Sequence, residues 1–274
     1  MIYLLIFIFG LAIGSFLNVI IYRLKTKEPI SNSRSHCMKC KTILNWYDLI
    51  PVFSFIFYKG KCHYCGKKIS WQYPIIEVVT GLLFVFVILN NSSVIPNIFS
   101  VIPAKAGIQT WIIGSSPIMT IFAGMTFELI IISLLIVIFV YDLKHYIIPD
   151  KIVFPGIIIS LLYQVFNNNF YYPILAGLLA SGFFLFLVLI TKGKGMGLGD
   201  VKFVFLMGLI LSWPNIIIAL FLSFLFGAII GILLIIIGKK KLKSQVPFGP
   251  FLVGSTIITM FYSCFIIDFL IKYF

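Results

Sequence analysis

Charge is what this 274-residue chain has little of: Asp, Glu, Lys and Arg make up 11% of it, against about 25% in a soluble domain. Acids are scarcer still, with eight Asp and Glu in all. With 61% hydrophobic residues and a mean hydropathy of +1.12, a water-soluble globule is excluded and a bilayer is the matching solvent. No HExxH and no Ser-His-Asp arrangement is present, which leaves zinc-peptidase and serine-hydrolase chemistry without a carrier. No basic residue precedes the first apolar run, and Arg23, Lys25 and Lys27 follow it directly. That run is expected to be a first spanning helix, not a cleavable signal peptide.

Eight apolar runs are present, at 2–22, 74–90, 121–141, 152–167, 173–191, 201–213, 215–238 and 249–271. Most approach the roughly 20 residues that a spanning helix needs, so the expected fold is an all-α polytopic membrane protein of about eight helices. The run at 201–213 is short, and with 215–238 it is expected to form a hairpin broken at Trp213-Pro214-Asn215. The formal charge of +13 suggests nucleic acid until the basic residues are located. Nineteen of the 21 Lys and Arg fall in 23–73, 142–151, 192–202 and 239–243, leaving only Lys105 and Lys272 elsewhere. This alternation follows the positive-inside rule, with both termini outside. It reports orientation and contact with anionic lipid, and no nucleic-acid partner is expected.

Gly14, Ser15 and Asn18 give the first run a small, polar stripe suited to close helix packing. After it comes the one extended soluble stretch, 24–73, carrying Cys37-Met-Lys-Cys40 and Cys62-His-Tyr-Cys65. Two CxxC knuckles at this separation suit a Cys₄ zinc ribbon with a small hairpin between them. Two disulfides would need an oxidising compartment, whereas the charge pattern puts this loop in the cytoplasm. About fifty residues bury little core, so the metal would supply folding free energy. The chain therefore divides into a first helix (1–23), a cytoplasmic zinc-ribbon loop (24–73) and a membrane-embedded remainder (74–274). Residues 91–120, rich in Asn, Ser, Pro and Gly, read as an external insertion without a catalytic role.

Acids at the edges of apolar runs are the candidate functional groups, because a carboxylate at a membrane boundary is costly to desolvate. Glu77 lies one turn into its run, where it could snorkel or support a site. Asp150 precedes a run, where free helix N–H groups would satisfy it. Asp142 instead closes a run, at the helix end where the macrodipole disfavours negative charge. Asp200 ends the stretch Gly195-Met-Gly-Leu-Gly-Asp200. Those glycines resemble a phosphate loop only superficially, since their spacing is wrong and no β-α-β unit surrounds them. They permit positive φ and close approach of an extended peptide. Two acids from separate helices on one side of the membrane suit acid/base hydrolysis of a peptide: one deprotonates water while the other, protonated, polarises the carbonyl. Close carboxylates do not readily both ionise.

Together these motifs resemble the bacterial type 4 prepilin peptidase family, integral-membrane aspartic proteases of the GxGD class. The residues that carry the likeness are Gly14-Ser-Phe-Leu-Asn18 with Tyr22-Arg23, the two CxxC pairs, Pro74 and Glu77, Asp142 with Pro149-Asp150, Gly197-Leu-Gly-Asp200 with Lys202, and Pro247-Phe-Gly-Pro250. The resemblance implies a catalytic pair at Asp142 and Asp200, support from Glu77, Asp150, Gly197, Gly199 and Lys202, and zinc on Cys37, Cys40, Cys62 and Cys65. It implies cleavage of short basic leaders from type IV prepilins or type II secretion pseudopilins at the cytoplasmic face of the inner membrane. It also implies N-methylation of the new terminus from S-adenosylmethionine. The external loop is longer than is usual in that family. The alternative, a transporter or channel with a zinc-ribbon regulatory domain, predicts deeper acids and an inverted repeat, and the sequence has neither.

Overall fold

Apolar runs become helices here because a chain in lipid must satisfy every backbone polar group within itself. The structure is a computed structural model describing residues 1–26, 28–29, 34–92, 117–168, 170–193, 196–238 and 246–273. The described residues form eight long helices: α1 (Ile2–Thr26), α3 (Gln72–Ser92), α4 (Pro117–His145), α5 (Asp150–Phe166), α6 (Tyr171–Ile190), α7 (Leu198–Leu211), α8 (Asn215–Ile236) and α9 (Gly249–Tyr273). A five-residue helix, α2 (Phe53–Phe57), and a 3-10 turn at Trp46–Leu49 lie between α1 and α3. Among the described residues, five helices are long and apolar enough to cross a membrane. The expected insertion lies largely outside the described residues.

The chain forms two compact units, Met1–Ile136 and Val137–Phe274. In the first, α1 and α3 run antiparallel with almost nothing between their backbones. A Cβ built on Gly10 would meet the Gly81 Cα at 2.6 Å, and one on Gly14 would meet the Glu77 Cα at 2.7 Å. One turn further, the buried Asn18 amide donates to the Tyr73 carbonyl at 3.2 Å. The small, polar stripe is thus a packing face. Without a hydrophobic driving force between helices in lipid, close contact and interhelical hydrogen bonds must hold them.

The second unit is built around α7. At 14 residues it is about 21 Å long, short of the roughly 30 Å hydrocarbon layer. Phe203, Val204, Met207, Leu206 and Leu209 are all buried, and a helix apolar on every side belongs in the middle of a bundle. Helices α5, α6, α8 and α9 all contact it. The closest approach is at Gly208, where an added Cβ would run into the Gly177 backbone of α6. The chain turns at Ser212-Trp213-Pro214 into α8, as the sequence suggests, with Ser212 in a left-handed conformation (φ 58).

Gly208→Ala is expected to cost about 1–3 kcal/mol, since the rigid α6 backbone leaves no room for a methyl group. Gly182→Ala, where a Cβ would meet nothing within 4 Å, should be neutral. Unfolding of both variants in detergent checks the pair.

Candidate active site and metal centre

Both candidate acids lie in the second unit, inside helices instead of beside them. Asp142 occupies the last turn of α4, which runs on to His145 and is stopped by Tyr146 at φ 57. Its side chain is buried, with 4% exposure. Burial at a helix C-terminus requires compensation. The compensation comes from α9: the Gly249 N–H donates to the Asp142 carboxylate, so the acid sits against the positive end of another helix. The fit excludes a side chain at 249, because a Cβ there would lie 2.5 Å from Asp142 Oδ2. Phe248, the preceding residue, is held between Phe184 of α6 and Phe224 of α8, with ring centroids 6.3 and 5.2 Å away.

Asp200 is in the first turn of α7, half-buried, and caps its own helix. Its Oδ2 accepts the Gly197 N–H at 3.0 Å. The two carboxylates are close enough for the charge of Asp200 to act on Asp142. The intervening chain is anchored at two points. Lys202 of α7 bridges both oxygens of Asp150, the first residue of α5, at 2.9 and 2.8 Å. The missing side chain of Gly199 lets Ile148 press onto the start of α7, where a Cβ would come within 3.2 Å of the Ile148 Cβ.

The glycines serve differently from the sequence expectation. Gly197 has φ −90 and Gly199 is helical, so neither uses positive φ. Gly199 provides contact, whereas a Cβ on Gly197 would make only ordinary contacts of 3.8 Å, with Asp200 Oδ2 and the Gly199 nitrogen. Gly195 lies outside the described residues. Near Asp142 in the chain, Phe139 and Leu143 of α4 and Tyr146 just beyond it line an open apolar cavity of about 460 Å³ with residues of α8 and α9, among them Phe226, Pro250 and Gly254.

Glu77 belongs to the first unit. Its carboxylate accepts the Val52 N–H at 2.8 Å, which ties the cysteine loop to α3. In that loop the Sγ atoms of Cys37, Cys40, Cys62 and Cys65 lie within 4.8 Å of one another. None of the four is in a disulfide, and the sulfurs gather as one group of four. Tetrahedral metal–thiolate bonds of about 2.3 Å would put the sulfurs near 3.8 Å apart, and Cys37 and Cys65 are already at 4.0 Å. The donor set fits a soft four-coordinate ion. The hairpin expected between the knuckles is not formed, and the 3-10 turn and α2 take its place. Each knuckle instead closes on itself, through matching bridges His36 to Ile43 and Lys61 to Lys68. The matching N–H···O bonds Cys37 to Thr42 and Cys62 to Lys67 are each 2.9 Å. His63 faces Asp48 at 3.6 Å.

A profile for the bacterial peptidase A24 N-terminal domain matches residues 8–91, and one for the type IV leader peptidase family matches 129–232. A prepilin leader peptidase/N-methyltransferase of Bacillus subtilis is 32% identical over 98% of this chain and 97% of its own length. The protein of that name from Legionella pneumophila is 30% identical over 99% and 95%. This chain belongs to the type IV leader peptidase family. A further relative of the same name, from Aeromonas salmonicida, is 29% identical over 90% of this chain and 86% of its own length. No solved structure matches.

The membership makes the protein a multi-pass membrane protein of a protease family, and the transporter alternative has no support from the relatives. One site residue escaped the sequence reading. Gly249 stands in Pro247-Phe-Gly-Pro250, which reads as an ordinary helix start; only the approach of Asp142 gives it a purpose. Purified protein is expected to carry one metal ion per chain by elemental analysis. Cys37→Ser and Cys62→Ser should each lose it, since three thiolates leave the tetrahedron open.

Proposed function

We propose that this protein is an endopeptidase that removes the short basic leader from type IV prepilins or type II secretion pseudopilins, with Asp142 and Asp200 as the catalytic pair. The observation that carries the proposal is the placement of a buried Asp142 within electrostatic reach of Asp200. A buried carboxylate near a second one suits a shared proton. One carboxylate takes a proton from water as the oxygen attacks the scissile carbonyl, while the protonated partner hydrogen-bonds the carbonyl oxygen. Collapse of the tetrahedral adduct breaks the C–N bond, and the leaving amine receives the proton.

The supporting residues have separate tasks. Gly249 orients Asp142, Gly199 and the Lys202–Asp150 pair set the start of α7, and Gly197 leaves room for a substrate backbone. Glu77 acts through the loop it holds. The apolar cavity lined by Phe139 and Leu143 suits the hydrophobic segment that follows the cut. Cys37, Cys40, Cys62 and Cys65 would hold zinc, which with four thiolates has no open position and serves folding. Lysines and arginines concentrated in alternate loops favour a cytoplasmic-membrane protein with this loop and the acids on the cytoplasmic side. N-methylation of the new terminus from S-adenosylmethionine enters through the relatives' names.

In detergent with a synthetic prepilin, Asp142→Asn and Asp200→Asn should each lower the cleavage rate by about 10²–10⁴-fold. Retained cleavage in either variant would remove that residue from the pair. Gly249→Ala should displace the Asp142 carboxylate and lower the rate about a hundredfold while helix content is kept.

Gly254 lines the cavity and has open space around it, so Gly254→Phe should fill it without disturbing the bundle. KM for a full-length prepilin is expected to rise about tenfold. For a peptide ending shortly after the cleavage site it should stay unchanged.

A further inference from the structure

The cysteine loop carries an apolar surface that none of the described residues of its own unit covers. All residues of α2 except Ser54 are apolar, and Phe53, Ile56 and Phe57 point outward, Phe57 with 80% of its surface exposed. Trp46, at 77%, and Trp71 extend the patch, Trp71 resting against the Phe55 ring at 5.0 Å. Isolated exposed apolar residues are ordinary, but a cluster of large ones marks an interaction surface.

The depth of this surface follows from one hydrogen bond. α3 begins at Gln72 and is one of the helices long and apolar enough to cross a membrane, its apolar run starting at Pro74. Glu77 is five residues further on, about 7.5 Å along the axis. Because the Val52 N–H reaches the Glu77 carboxylate, the residue just before α2 lies level with the second turn of α3. The attachment is firm enough to keep strained backbone in place: Val52 has φ 61 and ψ −48, and Phe53 N–H bonds to the Pro51 carbonyl at 2.6 Å. A γ-turn with positive φ is unfavourable for a β-branched residue and persists only where its surroundings enforce it. Charge points the same way. Between 34 and 71 there are seven Lys and Arg against a single Asp; the lysines are exposed and suited to anionic headgroups.

We propose that α2 and its flanking tryptophans form an interfacial anchor, embedded in the headgroup region of the anionic bilayer that α1 and α3 cross, with Glu77 as the latch that sets its depth. Aromatic rings favour this region because one part of them is apolar and the surroundings are half wet. The loop is then a membrane-lying module with its apolar side down.

The test uses the whole chain in nanodiscs containing phosphatidylglycerol. Phe57→Trp is made in a background where Trp46, Trp71, Trp111 and Trp213 are Phe. A second variant retains native Trp46 as the sole tryptophan, so that the result does not depend on tolerance at position 57. A lipid carrying a nitroxide high on its acyl chain is expected to quench about half the emission, and aqueous iodide to quench about fivefold less than it does free tryptophan. Adding Glu77→Ala should restore iodide access severalfold at unchanged helix content. Iodide quenching equal to that of free tryptophan, with no lipid quenching, would overturn the proposal. So would shielding that appears only after an apolar peptide is added, because the surface would then belong to a protein partner.

Discussion

Asp142 closes a helix at the end where the backbone repels a negative charge, and it is buried there, so something must replace the water it has lost. The replacement is the N-terminus of α9, brought so near that residue 249 has no room for a Cβ. Much of the second unit is arranged around that approach. The Phe184, Phe224 and Phe248 rings fix the residue before Gly249, while the contact of Gly208 with Gly177 draws α6 and α7 together. Asp200 meets the same need more simply, by capping its own helix. Two helix N-termini therefore serve two acids, one from within its helix and one from across the bundle. In a low-dielectric setting such fixed dipoles are worth far more than in water.

The helices were legible because their cause is local. Each apolar run became a helix, since lipid offers the backbone no other partner. The ends were less legible. α4 continues through Lys144 and His145, and α7 starts ahead of Asp200, because helix propagation and capping do not follow hydropathy. The cysteine cluster could be read from spacing, as two thiolates in one tight turn need only the residues between them. What could not be read was contact between distant segments. Gly249 and Asp142 are more than a hundred residues apart, and nothing in Pro-Phe-Gly-Pro hints at a carboxylate. The Glu77 bond to Val52 ends at a backbone N–H, which has no sequence signature at all.

Small residues do two different jobs in this molecule. At Gly10, Gly14, Gly81, Gly177 and Gly208 the absent side chain lets helices touch backbone to backbone, which in lipid substitutes for the hydrophobic effect. At Gly199 and Gly249 it lets a polar site assemble from pieces that a methyl group would hold apart. Only the first use has a helical period, and so only that use could be inferred from the sequence as a packing stripe.

The two knuckles have the same geometry, with Cys37 and Cys62, Cys40 and Cys65, and the bridges His36 to Ile43 and Lys61 to Lys68 in equivalent places. Synthesis at about 5–20 residues per second separates the two pairs by between about one and five seconds. During that interval α1 is already made, and the half-cluster has only two thiolates to offer. A site with four thiolates can therefore assemble only after α1 and α2 have been synthesised.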